Sequence, residues 1–328
     1  MQGVLLFFII YDTVENKEKL DLVLTAMVLS MVLIGANGVF QLITGKDFIR
    51  GHSILRFYDI HGMRMRSSFD MPQAFASWLT LMIPLGISIA VSARKDMPIR
   101  VPKSIMWLLI CVLTACLFMT RSKGAFAGAI FAIIFFIMAK KRKVLVLIVV
   151  IVIATALALA LLMNKDLLNN EFLFCIKDNI VATMLKLDII RTNLWREAIL
   201  IIKDFQVFGC GLNTYSVVAQ RYKSDASVAG IYPHNSYLQM AAETGLIGLA
   251  SFVLFLAALF AISLNNMAKI RNDYYRNLSL GLLTGLAAFL VHSLFDVNFY
   301  TLQLANLMWF IMGLIVAIQK IGLKEKSV

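Results

Sequence analysis

The sequence predicts an all-α fold of the polytopic integral membrane class, a bundle of helices that cross a bilayer. Hydrophobic residues make up 60% of its 328 residues and charged residues only 15%, and the mean hydropathy is +0.81. So little polarity does not cover the surface of a water-soluble domain. The apolar residues also fall into runs of about 20, the length that crosses a hydrocarbon layer roughly 30 Å thick.

Eight apolar runs are long enough to be complete spans. A further run, "MQGVLLFFIIY" at 1–11, is shorter and lacks the basic start and the small-residue cleavage site of a signal peptide, so we interpret it as a truncated N-terminal helix. The predicted spans lie near 20–43, 72–92, 105–120, 124–139, 144–163, 245–264, 278–295 and 300–319.

The net charge of +12 is concentrated between the spans. The loops "ARKDMPIRVPK", "AKKRK" and "NNMAKIRNDYYRN" and the tail "QKIGLKEKSV" fall on one side if every run spans once. Cytoplasmic flanks collect Lys and Arg, so this pattern predicts a cytoplasmic (inner) membrane protein with a cytoplasmic C-terminus. The basic charge is then a topology signal, and no nucleic-acid partner is expected.

This topology gives one membrane domain over residues 1–328, with external segments at 44–71 and 164–244 and tight turns at 121–123 and 296–299. The external arginines run against the usual charge bias, and a guanidinium grips phosphate oxygens bidentately. As a cluster they predict an anionic partner such as phosphate or pyrophosphate. Each one alone is explained at least as well by a carboxylate or a lipid headgroup. They are Arg50, Arg56, Arg64, Arg66, Arg121, Arg191, Arg196 and Arg221.

The turn "TRSKGAF" is the more specific feature. Two helices separated by a few residues force Arg121, Ser122 and Lys123 to one membrane boundary, and Gly124 is expected to let the backbone turn tightly. Basic residues also snorkel at helix ends, and physical reasoning gives the two interpretations equal weight.

Residues 189–202 have apolar positions at helical spacing, which predicts an amphipathic helix lying along the membrane surface. Arg191 and Trp195 are four residues apart and share one face, whereas Arg196 points elsewhere. Interfacial anchoring beside a tryptophan is the alternative role for both arginines. The following "FGCGLNTY" is expected to end the helix, because Gly209 and Gly211 suit a turn.

The stretch "YPHNSYLQMAAETGLIG" places His234 at the start of a helix that continues toward the bilayer. Unpaired N–H groups and the helix dipole favour an anion there, and they favour the neutral, proton-accepting imidazole. A neutral imidazole beside pyrophosphate suits a general base. Asn235 or Ser236 is expected to cap this helix as an alternative role. Tyr237, Gln239 and Glu243 are supporting candidates on the polar part of the helix.

Four stretches together resemble the O-antigen ligase and Wzy-type polymerase superfamily. They are "RMRSSFDMPQAFASWLTLMIPL", "TRSKGAFAG", "RTNLWREAILIIKDFQVFGCGLNTY" and "PHNSYLQMAAETGLIGL", in this order over roughly residues 62–264. The last is the most specific. The resemblance implies a membrane glycosyltransferase of the GT-C kind that passes a glycan from an undecaprenyl-pyrophosphate carrier to an acceptor hydroxyl on the outer face. It implies no metal and no nucleotide-sugar cofactor.

The resemblance also implies roles for individual residues. His234 matches the family's histidine and Arg191 its large-loop arginine, so both are catalytic candidates. Arg66 matches the arginine before the helix that starts with proline, and the family's arginine in the small-helix turn falls near Lys123 or Arg121. With Arg196, these residues are candidates for binding the donor pyrophosphate. Two departures from the pattern are Lys123, where arginine is usual, and Gln73, where asparagine often stands.

Other interpretations stay open from the sequence. A transporter or flippase of lipid-linked sugars would also carry arginines, although the chain shows neither an internal repeat nor ionisable residues at span centres. An inactive partner in a polysaccharide assembly complex is the third. Ligase and polymerase are not distinguished. Cys175 and Cys210 share an external segment, where a disulfide is permitted but not implied.

Overall fold

A computed structural model describes residues 2–57, 62–92, 102–140, 191–223 and 232–325. Helices dominate these residues, as the composition predicts. The helices are α1 (Gln2–Thr13), α2 (Lys17–Thr44), α3 (Pro72–Val91), α4 (Lys103–Met119), α5 (Lys123–Lys140), α6 (191–204), α7 (Tyr215–Val218), α8 (Ser236–Lys269), α9 (Asp273–His292) and α10 (Leu302–Lys324), with 3-10 turns at Ala219–Arg221 and Asn298–Tyr300.

Four of these helices, α2, α3, α8 and α10, are long and apolar enough to cross a membrane. Helices α1, α4 and α5 are apolar but shorter. Helices therefore occur at seven of the eight predicted span positions, and the run near 144–163 lies outside the described residues. The full count of eight membrane crossings stays a prediction.

Helix α9 forms the centre of the bundle and packs against α3, α5 and α10. Its glycines allow close approach: a Cβ on Gly285 would lie 2.7 Å from the carbonyl oxygen of Leu81 on α3. On the α5 side, a Cβ on Gly128 would lie 2.4 Å from the carbonyl oxygen of Ala288. Small residues at such spacing let helix backbones meet directly in membrane bundles.

A short antiparallel hairpin departs from the purely α-helical prediction. Strand β1 (Leu55–Phe57) pairs with β2 (Gly62–Arg64). The described residues between 44 and 71, here called the hairpin segment, attach to α2 through a buried amide. Gln41 Oε1 accepts hydrogen bonds from the backbone N–H groups of Arg66 at 3.0 Å and Ser67 at 2.9 Å. The hairpin thus has a fixed position at one end of the bundle.

Residues 205–223, here called the loop segment, follow α6 and pack on the start of α8. The predicted break after α6 is confirmed: Gly209 and Gly211 adopt φ of +73° and +114°. The apolar face of α6 packs partly on the protein itself, and the position of this helix along a membrane surface stays a prediction. Leu194, Ala198 and Ile201 are 2%, 0% and 0% exposed, and the last two pack on Tyr215, Ala219 and Ala242.

Helix α8 is interrupted at Gly245, where φ is +71° and ψ 179°. The expectation of an unbroken helix through "ETGLIG" is therefore wrong. A Cβ at Gly245 would lie 2.1 Å from the carbonyl oxygen of Val207, so only glycine fits between helix and loop segment. The interruption separates the polar start of α8 from its apolar remainder.

Candidate functional site

The turn between α4 and α5 presents Arg121 in a left-handed conformation, with φ of +51°. Lys123 is exposed and begins α5. The carbonyl oxygen of Thr120 accepts a hydrogen bond of 2.8 Å from Nε of Arg64, which docks β2 onto this turn. The predicted role of Gly124 is wrong, because the left-handed residue is Arg121. Gly124 instead packs against the His292 ring, and a Cβ added to Gly124 would lie 2.7 Å from Cδ2 of that ring.

His234 precedes α8 in a second left-handed conformation, with φ of +46°. Asn235 caps the helix, since its Oδ1 accepts from the N–H groups of Tyr237 at 3.0 Å and Leu238 at 3.1 Å. The N–H of Ser236 donates to the carbonyl of Ser293 at 2.9 Å. These three N–H groups have partners, so the expectation of unpaired donors for an anion is wrong for them. Non-glycine residues at such φ are uncommon and concentrate at functional sites.

The imidazole of His234 faces a carboxylate that the sequence did not single out. Nδ1 of His234 lies 3.6 Å from Oδ1 of Asp296, and the two side chains are 42% and 13% exposed. Burial alone would raise the pKa of Asp296, but the contact with His234 and the proximity of His292 hold this pKa below its ordinary value. Asp296 is thus an anion that orients the imidazole and leaves Nε2 on its other side.

Arg64 interacts with Asp296 and with two further arginines. Burial lowers the pKa of Arg64, the Asp296 carboxylate opposes that shift, and the charges of Arg121 and Arg191 lower it further. The Asp296, Arg121 and Arg191 charges all act on Arg64, so this guanidinium lies within electrostatic range of each of them. We call these three arginines with His234 and Asp296 the arginine–histidine cluster. Like charges held together near one carboxylate make a site suited to a multivalent anion.

The structure divides the predicted residues into two groups. Arg121 and Arg191 both interact with Arg64, and His234 lies beside Asp296, whereas the Arg66 guanidinium donates to the carbonyl oxygens of Ser53 and Asp70, both at 3.0 Å. Arg196 is an exposed residue of α6. Arg64 was among the external arginines expected to attract an anion, but neither Arg64 nor Asp296 was assigned an individual role from the sequence.

Residues 106–253 match a family model described as O-antigen ligase. This O-antigen ligase region covers less than half of the 328 residues, and it supports the predicted resemblance to the O-antigen ligase and Wzy-type superfamily. A search of curated proteins finds no match. The match suggests a glycosyltransferase-like enzyme in polysaccharide assembly.

The O-antigen ligase region contains Arg121, Arg191 and His234, but the rest of the cluster comes from outside it. Arg64 precedes the matched residues and Asp296 follows them. The site is therefore assembled from three separate parts of the chain. Among the described residues, no group of three or more His, Cys, Asp and Glu side chains is placed to hold a metal ion.

Glu243 fixes the loop segment to α8. It is 1% exposed, and its carboxylate accepts from the backbone N–H groups of Asn213 at 2.8 Å and Tyr215 at 3.3 Å. Gln239 donates to Glu243 at 3.2 Å. Two of the predicted supporting residues thus hold the backbone around the site.

A further supporting candidate, Tyr237, bonds to the central helix, because its hydroxyl donates to the carbonyl oxygen of Leu290 at 3.0 Å. Cys210, in the loop segment, lies near the Thr214 hydroxyl, which is 3.3 Å from Sγ. Cys175 lies outside the described residues, so the disulfide with Cys210 stays an open prediction.

A buried polar network connects the turn that carries Arg121 to the helix that precedes Asp296. His292 is 1% exposed, and its Nδ1 and Nε2 lie 2.8 Å from Ser77 Oγ and 3.2 Å from Ser122 Oγ. Ser77 donates to Asn298 Oδ1 at 2.8 Å, and Asn298 donates to Ser293 Oγ at 3.2 Å. A buried imidazole bonded through both nitrogens holds α3, α5 and α9 in one arrangement.

Proposed function

We propose that this protein is a membrane glycosyltransferase of the O-antigen ligase or polysaccharide polymerase type. It takes a glycan from an undecaprenyl-pyrophosphate-linked donor and joins it to an acceptor hydroxyl at the outer face of the cytoplasmic membrane, with its C-terminus in the cytoplasm. The observation that carries this proposal is the arginine–histidine cluster. A pyrophosphate needs several positive groups, and a glycosyl acceptor needs a base beside them.

The arginines bind the donor and stabilise its leaving group. Arg64, Arg121 and Arg191 supply planar, permanently charged donors that match phosphate oxygens bidentately. As the bond from the anomeric carbon to the phosphate oxygen breaks, negative charge grows on the lipid-linked pyrophosphate. Preorganised cations at that position stabilise the transition state more than the bound donor. Arg66, Lys123 and Arg196 are proposed as outer basic residues that attract the donor.

His234 is the general base in this proposal. The acceptor oxygen forms a bond to the anomeric carbon while its proton passes to Nε2 of His234, since Nδ1 is directed at Asp296. Asp296 orients the ring and stabilises the imidazolium that forms. The proton then leaves to solvent through the 42% exposed imidazole. Each reaction thus yields one glycosidic bond and one carrier pyrophosphate.

The decisive test is a vesicle assay with purified protein, a lipid-pyrophosphate-linked glycan and an acceptor. We expect new glycosidic bonds in the native protein and a loss of about 10²- to 10⁴-fold in His234→Ala, the range of general base catalysis. His52→Ala is the matched control, because it removes an imidazole outside the cluster and should keep full activity.

Two outcomes would contradict the proposal. Full activity of the His234→Ala variant would remove the assigned base. Movement of the lipid-linked glycan across the vesicle membrane without new bonds would favour a flippase. In cells lacking the protein, missing long surface chains would indicate a polymerase, whereas carrier-linked long chains that accumulate would indicate a ligase.

A further inference from the structure

The loop segment exposes large apolar side chains although it is fixed on a folded surface. Phe208 and Leu212 are 79% and 76% exposed, and Val207 and Val217 are 52% and 64% exposed. Surface turns and loops usually carry polar side chains at such exposed positions. Several large apolar side chains exposed in one short segment mark a contact with a protein or a membrane.

Backbone hydrogen bonds hold the loop segment at one level of α8. The Leu246 N–H donates to the carbonyl oxygen of Gln206 at 2.8 Å, and the Cys210 N–H donates to that of Ala242, also at 2.8 Å. The close contact of Gly245 with Val207 lies between these two bonds. The exposed apolar residues therefore sit beside the point where α8 changes from polar to apolar.

The apolar surface of the loop segment continues onto the outside of α8. Leu246 and Ile247 are 49% and 52% exposed, and Leu254, further along, is 69% exposed. Only 17% of the most apolar window of this helix is buried, as a lipid-facing span requires. The surface that meets lipid on α8 thus begins directly beside Val207 and Phe208.

We propose that Val207, Phe208, Leu212 and Val217 insert into the acyl-chain region of the adjacent lipid leaflet as a membrane wedge. The wedge sets the height of α6, which ends directly before the loop segment and carries Arg191. It requires that α8 crosses a bilayer, and it does not depend on the chemistry of the arginine–histidine cluster. Lipid is favoured over a partner protein because the surface is continuous with that of a span.

The experiment measures the depth of residue 208 in a bilayer. The Phe208→Trp variant is reconstituted into phosphatidylcholine vesicles that carry bromine at defined acyl positions, and the signal of the four native tryptophans is subtracted with the unsubstituted protein. We expect clear quenching of the indole introduced at position 208, stronger from bromines near the headgroup end of the chain than from those near its terminus. Leu212→Trp gives an independent second position.

Gln220→Trp is the matched control, because Gln220 is an exposed polar residue of the same segment. The proposal is overturned if brominated lipid quenches the indoles introduced at positions 208 and 212 no more than the indole introduced at position 220. It is also overturned if aqueous iodide quenches all three indoles alike. Either result would indicate that a protein partner, and not lipid, covers this surface. Neither result affects the glycosyl-transfer assay, so the two proposals fail separately.

Discussion

The hairpin segment and the loop segment both border the candidate site, but they are attached to the bundle in different ways. Neutral amides on α2, chiefly Gln41, hold the hairpin segment through its backbone. The loop segment is held by the Glu243 carboxylate and by direct backbone contact at Gly209 and Gly245. The first attachment depends on neutral hydrogen bonds, whereas the second depends on a buried carboxylate and on positions where a Cβ would clash with backbone atoms.

The hairpin segment carries two arginines that have different partners. Arg64 and Arg66 are two residues apart at the end of the hairpin, and Arg64 interacts with Arg121 and Arg191. Arg66 is engaged with the carbonyl oxygens of Ser53 and Asp70. The hairpin segment thus uses one arginine for the site and the other for its own structure.

The largest effect within this comparison is expected when Arg64 is replaced and the result is compared with the replacement of Arg66. Arg64→Ala should lower the rate of glycan transfer about 10²- to 10³-fold, the cost of removing one preorganised donor from a developing charge. Arg66→Ala should change the rate only a few-fold. The measurement is the initial rate in vesicles, with folding checked by thermal unfolding in detergent. Equal losses in both variants would show that the distinction between the arginines is wrong.

The next effect concerns Asp296, which lies between the two segments. Its pKa in the folded protein is below the ordinary value, so the stabilising contact is complete above the ordinary pKa and is lost only as pH falls through the lower folded value. Asp296→Asn should therefore reduce the rate by a constant factor of about 10 across pH 5 to 8, as loss of part of the general-base contribution.

The pH profile decides this prediction. A loss confined to the alkaline part of that range would mean that Asp296 is already protonated in the acidic part, against the assignment. The Asp70→Asn variant is the control, because Asp70 is an exposed carboxylate whose ion pair with Arg50 lies in the hairpin segment.

Glu243→Ala is expected to loosen the loop segment. Hydrogen bonds to a charged group are each worth about 1.5–3 kcal/mol, and this carboxylate accepts two from the backbone, so stability should fall by about 3 kcal/mol or more. Thermal unfolding in detergent measures the loss of stability, and hydrogen exchange shows which residues are affected. Faster exchange should be confined to residues near Asn213 and Tyr215, with the hairpin segment unchanged.

Gln41→Ala is the corresponding change for the hairpin segment and the smallest of the four. Neutral hydrogen bonds contribute about 0.5–1.5 kcal/mol each, so stability should fall by about 1–2 kcal/mol. Hydrogen exchange should increase at Arg66 and Ser67 and stay unchanged near Asn213. If it increased in both segments, they would be coupled, and the contrast between their attachments would be wrong.

Much of the fold was predictable because apolar run length and turn chemistry are local properties. The position of α3 was predicted within one residue, at Pro72–Val91 against 72–92. Helix α9 was predicted as a span, although it is not among the four that length and composition select. Its neighbours are other helices, so its sequence can be less apolar than that of a helix surrounded by lipid.

The candidate site was harder to predict because long-range packing forms it. His234, Arg121 and Arg191 were found through motif spacing and resemblance. Arg64 was passed over for Arg66, since the choice depends on which side of the hairpin end meets Thr120. Asp296 stands in a short turn, and nothing in its local sequence indicates that a histidine 62 positions earlier faces it.

The interruption at Gly245 divides one long helix into two rods that differ in their surroundings. Ser236 fastens the first rod to the turn after α9, whereas the second rod exposes most of its surface. The loop segment bonds to the first rod through Ala242 and to the second through Leu246, so it bridges the glycine that joins them. Any change in the direction of the apolar rod therefore reaches the loop segment before it reaches the imidazole and its carboxylate.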